Sequence, residues 1–166
     1  MPTPTEIYIA TLTSLQSGDL GLLRTQACRP LDATLTGFDL FTGIWWPLRQ
    51  RSPRAPRREV AWLVAKLYAS VPAQHERGRS FAASLARILP HSDARQKSRS
   101  LQLFDAILTA SLTQLEPHLA YAIGRLAQVG GALDWAQLTD DLSDWENRAV
   151  RQRWADQYLN VWERRT

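Results

Sequence analysis

The chain has 166 residues, 45% of them hydrophobic, with a single cysteine and a formal net charge of +4. That length points to one domain able to bury roughly 70% of its unfolded surface, which needs neither disulfides nor metal to fold. Cys28 alone excludes an internal disulfide and a cysteine-rich zinc site, and no run approaches the ~20 apolar residues of a membrane helix.

The first segment, MPTPTEIYIATL, lacks the basic start and apolar run of a signal peptide, so a soluble, cytoplasmic protein is expected. Thr3 and Pro4 read as an N-cap and first helical residue, with the helix running to Gly18. Asp19 is placed to cap a short second helix that carries Arg24 and stops before Pro30, followed by an irregular loop to about Leu35. A third, apolar helix covers residues 38–46 and ends near Pro47, because proline lacks the N–H a helix needs. Residues 49–58, RQRSPRAPRR, place five arginines and two prolines in ten positions. Such a loop is exposed, and its crowded like charges are either solvated or await a polyanion. Residues 59–70 form a helix with Val60, Leu63, Val64 and Leu67 on one face, central to a helical core.

A linker over 71–79 leads to the short helix of SFAASLARIL, which stops at Pro90. Asp93 caps a helix whose first turns offer Arg95, Lys97 and Arg99 and whose later turns bury Leu101, Phe104 and Leu108. Thr113 and Glu116 match a capping box for the next helix, with Pro117 early in it and Arg125 as its one cation. Its core stripe is Leu112, Leu115, Leu119, Ile123 and Leu126, and Gly130-Gly131 end it. Asp134 then caps a helix with Trp135, Leu138, Leu142 and Trp145 on one face. Asn147 caps the last helix, striped by Val150, Trp154, Tyr158, Val161 and Trp162. On it Arg148 and Arg151 lie about 60° apart and project from one side. A cation in a first turn opposes the helix dipole, so Arg148 gains nothing from local helix energetics.

No segment alternates as a strand does, which predicts an all-α fold of about eight or nine helices. It is read as one domain over 1–166, with a division into lobes 1–90 and 91–166 as an option. Charge is segregated along it: residues 49–99 carry twelve Lys/Arg against three acids, and 100–147 carry only Arg125 against seven. Eighteen of the twenty basic residues are arginine, whose planar fork suits phosphate.

Catalytic motifs are not apparent. There is no Gly-rich phosphate loop, nucleophile elbow or paired-histidine motif; His75, His91 and His118 read as surface residues and Cys28 as a small packing residue. Asp140, Asp141 and Asp144 form one carboxylate cluster. Asp140 and Asp144 share a face able in principle to hold Mg²⁺, although a solvated polar face opposite Leu138 and Leu142 is the plainer reading. No enzyme, metal site or cofactor is expected.

The closing pattern LDW…L…DL…W…VR.RWA..Y, together with SGDLGLLRTQA near the start and GRSFAASLARIL in the middle, resembles the CasB family. CasB is the small subunit of the type I-E CRISPR surveillance complex, Cascade. Arg24 falls on the first arginine of the family's "LRR" helix, with Thr25 replacing the second, and KSRSLQLF departs from its "RRF"-like motif while keeping Lys97 and Arg99 nearby. The resemblance implies a non-catalytic helical subunit, present as a pair. Its partners would be other Cascade subunits, the guide RNA and the displaced DNA strand, with no membrane involved. Arg24, Arg57, Arg58, Lys97, Arg99, Arg125, Arg148 and Arg151 are then the candidate phosphate contacts. If all eight were engaged, the log–log salt slope for single strands would be about −6. The aromatics fall mostly on core stripes, so base stacking is not predicted, with Trp45, Trp46 or Trp62 as the only candidates for it. The acidic stretch 100–147 faces protein neighbours or solvent. Two rival readings are a free-standing helical DNA- or RNA-binding or regulatory module, with the helix after Asp93 as its reader, and a metal-dependent hydrolase built on the three aspartates.

Overall fold

Nine α-helices account for most of the computed structural model, which describes residues 1–31 and 37–165. They are α1 (Pro4–Thr13), α2 (Ser17–Arg24), α3 (Phe38–Arg51), α4 (Arg58–Ser70), α5 (Phe81–Ile88), α6 (Ala94–Thr109), α7 (Leu115–Gln128), α8 (Trp135–Ser143) and α9 (Arg148–Arg165). The predicted all-α class is correct. Strand among the described residues is limited to a two-residue parallel pair, β1 (Gln74–His75), in the segment expected to be a linker, against β2 (Ala132–Leu133), just before the Asp134 cap. No described helix is long and apolar enough to cross a membrane.

The centre is α4, nine of whose thirteen residues are buried among α2, α3, α7 and α8. α5 lies along α9, and α6 and α7 pack on each other. Tryptophans build much of this interior. A buried indole N–H needs an acceptor, and the fold supplies one for each of five tryptophans. Trp45 donates to Pro56 O (2.7 Å), Trp62 to Arg29 O (2.8 Å), Trp135 to Ala73 O (2.9 Å), Trp145 to Ala110 O (2.9 Å) and Trp154 to Asp141 Oδ2 (2.7 Å). The stripe predicted for the C-terminal pair is buried at Trp135, Leu138, Leu142, Trp145, Trp154 and Tyr158, all at most 1% exposed, and at Val150 and Trp162, while Val161 is only half-buried.

Several helix ends follow the sequence. Thr3 and Glu6 form a capping box on α1, and the side chains of Ser80, Asp93, Asp134 and Asn147 each accept a first-turn N–H. After α7 the chain turns through Gly130 (φ +69°), with Gly131 N bonded to Leu126 O (2.8 Å) and Gly130 N to Ala127 O (3.1 Å), which closes the helix.

Others do not. α1 stops at Thr13 instead of reaching Gly18, and α2 begins at Ser17, so Asp19 sits inside its first turn rather than capping it. α3 continues four residues past Pro47, because Phe41, Trp45 and Leu48 are buried on both sides of the proline and hold the turns together. The arginine-rich loop is correspondingly shorter, since Arg49 and Arg51 belong to α3 and Arg58 to α4. On α6 the buried pair is Phe104 and Ile107, while Leu101 is 41% exposed. The capping box predicted for Thr113 and Glu116 is made instead by Ser111 and Gln114, around a 3-10 turn. Glu116 turns inward to Lys66 Nζ (2.6 Å). The same carboxylate accepts the N–H of Cys28, which is exposed in a left-handed conformation (φ +62°) and not a packing residue. The irregular loop expected to end near Leu35 lies partly outside the described residues.

Candidate nucleic-acid interface

The eight predicted cations separate into three places. Arg57, Arg58, Arg148 and Arg151 flank the Arg57–Glu146 ion pair, which ties the start of α4 to the turn before α9. Arg57 Nη2 lies 3.0 Å from Glu146, in the turn between α8 and α9, and its sheltered Nε has no partner among the described residues. Arg58 is exposed, its closest acid being the adjacent Glu59 at 3.8 Å. Arg148 is exposed and makes no hydrogen bond or ion pair among the described residues. Arg151 is half committed: its Nε donates to Trp145 O (3.1 Å), and its guanidinium lies 5.1 Å from the centre of the Trp145 ring.

Electrostatics concentrate positive potential here. The α4 start has no side-chain cap, so its free backbone N–H groups point out beside Arg57 and Arg58. The α9 start is capped by Asn147 but presents Arg148 at its first residue. Glu59 and Glu146 are the acids beside this group, and Glu146 is the one that pairs with Arg57. Its own backbone N–H, and then Arg57, hold its carboxyl below the usual glutamate range, so it is ionised and competes with any incoming anion.

Lys97 and Arg99 form a second group with Arg95 on the first turns of α6. Phe104 stacks on Tyr158 at 4.0 Å and Trp145 Nε1 reaches Ala110 O, so α6 runs antiparallel to α9. Its basic start therefore lies toward the far end of α9, with Tyr158 already about 15 Å along the helix from Arg148.

The third group is Arg24 and Arg125, at the C-terminal end of α4. Arg24 Nε donates to Ala69 O (3.0 Å), and Gly124, beside Arg125, has Val71 Cγ1 only 3.5 Å from its would-be Cβ. α4 is thirteen residues long, so this end is about 18 Å from Arg57 and Arg58. Arg24 satisfies a helix-end carbonyl, a structural duty that its place in the sequence does not reveal.

Other basic residues escaped the sequence reading. Arg77, Arg79 and Arg87 line a shallow cleft beside the start of α5, where Arg79 grips Glu76 (2.9 Å) and Arg77 lies 3.7 Å from Glu6. Arg165 donates to the carbonyls of Ala86 and Leu89 and closes the end of α5. Arg153 pairs with Asp141. The partners of Arg165 and Arg153 lie on other helices, and nothing local in the sequence signals them.

The three aspartates do not converge. Asp141 is 6% exposed and accepts from Trp154 Nε1, Gln137 Nε2 and Arg153, so the solvated polar face expected there is interrupted by a buried, fully occupied carboxylate. Asp140 accepts from Thr5 Oγ1 (2.6 Å) and Asp144 from Asn147 Nδ2 (3.0 Å). Each carboxylate thus holds a different piece of the chain, and no group of three metal-ligating side chains occurs among the described residues.

Residues 19–159 match the family described as CRISPR-associated protein Cse2. A protein of that description from Thermus thermophilus is 36% identical over 110 residues, covering 65% of this chain and 60% of the relative, so the match spans less than two thirds of that protein. The crystal structure of CasB from Thermus thermophilus is 25% identical with a TM-score of 0.73, over 96% of this chain and 99% of the other. That of M. ruber CasB is 19% identical with a TM-score of 0.76, over 98% and 96%, a likeness of fold. Matched by its family over most of its length and sharing the fold of solved members, this chain belongs to the Cse2 (CasB) family of CRISPR-associated proteins.

Proposed function

We propose that this protein is a non-catalytic small subunit of a type I-E Cascade complex that grips nucleic-acid backbone without reading sequence. The observation that carries this reading is the Arg57–Glu146 pair, which brings the start of α4, with Arg58, to the turn before α9, with Arg148 and Arg151. The exposed cations there have no structural reason to sit against the helix dipoles, and a phosphate supplies one. The strand is the one displaced when the guide RNA pairs with its target. R-loop formation is a nearly balanced exchange, so backbone contacts to the freed strand tip it forward. The acidic stretch 100–147 leaves other surfaces for neighbouring Cascade subunits, the guide RNA filament and a second copy of this chain.

The test has two arms. The purified chain should bind single strands of unrelated sequence with affinities equal within a few-fold, as backbone recognition requires. An assembled complex carrying Arg58→Ala and Arg148→Ala should form R-loops more weakly than wild type while assembling normally. A strong sequence preference, or unimpaired R-loops in that variant, would overturn the reading.

A further inference from the structure

Six of the seven tryptophans are 0–8% exposed, and Trp46 is 47% exposed. Its surroundings are unusual for a stray surface aromatic. One helical turn earlier on α3 stands Gly43, around whose would-be Cβ no atom lies within 4 Å, so the ledge beside the indole is open. Behind it is the Trp45 ring, 5.7 Å away and tilted by 48°. Trp45 is itself fixed, because its Nε1 holds Pro56 O. One turn later Arg49 donates to Pro53 O (2.9 Å) and Ala55 O (2.8 Å), pinning the loop that leads to Arg57. The exposed indole is therefore held on a rigid base, next to a loop that brings Arg54 and then Arg57 and Arg58. The Arg54 guanidinium is exposed and unpartnered among the described residues. Asp39, two turns earlier, is the one carboxylate on this face of α3 and lies about 10 Å along the helix.

We infer that Trp46 is a stacking platform for one base of a single-stranded nucleic acid, with Arg54, Arg57 and Arg58 taking the adjoining phosphates. A flat aromatic face beside cations accepts any base, because every base has a π-face and stacking carries no hydrogen-bond code. Charge complementarity selects this occupant: the loop pinned one turn beyond the indole carries Arg54 and leads to Arg57 and Arg58, and a polyanion that exposes its bases matches both features. The inference rests on the reading that the chain holds a single strand, and adds a contact of different chemistry to it.

The experiment uses the full chain and a thymidine strand of about 30 nucleotides, followed by fluorescence anisotropy of a labelled strand and by intrinsic tryptophan emission. Trp46→Ala should weaken binding roughly 5- to 150-fold without changing the salt slope, since stacking releases no counterions. Trp46→Phe should retain most of the affinity, and both variants should melt with wild type. The strand should quench wild-type emission and leave that of Trp46→Phe nearly unchanged, because the other indoles are buried. If wild type binds and Trp46→Ala binds equally well, the inference fails and the strand-holding reading stands. It fails equally if Trp46→Ala disturbs only assembly with other subunits, which would make the indole a protein contact. If wild type does not bind at all, the strand-holding reading fails and takes the inference with it.

Discussion

Arginine does two jobs in this molecule, and only its hydrogen bonds separate them. Arg24, Arg151 and Arg165 spend N–H groups on main-chain carbonyls at Ala69, Trp145 and Ala86, whereas among the described residues Lys97, Arg99 and Arg148 have no side-chain partner and Arg58 has only Glu59 at 3.8 Å. The clustering of charge was legible in the sequence because it is local. The carbonyl partners were not, since Arg24 and Ala69 are 45 residues apart and Arg165 and Ala86 are 79 apart. Glu146 gives a prediction at this scale. It lies 3.0 Å from Arg57, so Glu146→Gln should free that arginine and raise single-strand affinity about two- to fivefold at neutral pH, measured by anisotropy. Because its folded carboxyl is depressed, whatever stability the pair lends is present above the ordinary glutamate value and is lost as pH falls through the depressed one. Asp140 runs the other way. Burial raises its carboxyl despite the Thr5 hydroxyl, so its charged form costs stability at neutral pH and the cost disappears in acid. Asp140→Asn keeps the acceptor for Thr5 and should melt at or above the wild-type temperature at pH 7, with the gap closing as pH falls through the carboxylate range.

Helix ends show how far local rules reach. Asp93 and Asp134 cap as their sequence context predicts, because the signal lies within four residues. Between Ser111 and Glu116, however, two capping boxes overlap with an offset of two residues, Ser111 with Gln114 and Thr113 with Glu116. Local chemistry cannot choose between them. Lys66 chooses, because it is buried at 4% exposure on α4 and needs the Glu116 carboxylate. Pro47 teaches the same lesson, since burial of Trp45 and Leu48 outweighs a penalty of ~3 kcal/mol. The start of α9 is where a local rule is broken in the open, with no buried partner to excuse Arg148. Arg148→Ala should therefore leave stability unchanged or raise it by about 0.3–1 kcal/mol, read from urea unfolding, while lowering strand affinity. A purely structural arginine would lower both.

The whole molecule is tied together at α4, and the deeply buried Lys66–Glu116 ion pair is a tie between distant segments. Lys66 meets Glu116 on α7, both reach the Cys28–Arg29 backbone, and Trp62 bonds Arg29 O as well. Glu116→Ala would strand a buried ammonium and should cost about 3–5 kcal/mol, lowering the melting temperature by roughly 10 °C. A Lys66→Met and Glu116→Leu double variant should recover most of that loss. The family and helical class were readable from the order of Arg, Trp and Leu motifs, whereas the partition of eight cations into three surfaces needed the helices assembled. That partition bears on the central claim, that a single strand is held by phosphate contacts at the starts of α4 and α9. The most direct measurement is single-strand binding across a salt series, wild type against Arg58→Ala/Arg148→Ala. A strand gripped by Arg57, Arg58, Arg148 and Arg151 gives a log–log slope of about −3 in wild type, shallower by about 1.4 in the variant. A slope near zero, or one unchanged by removing those two arginines, would contradict the account.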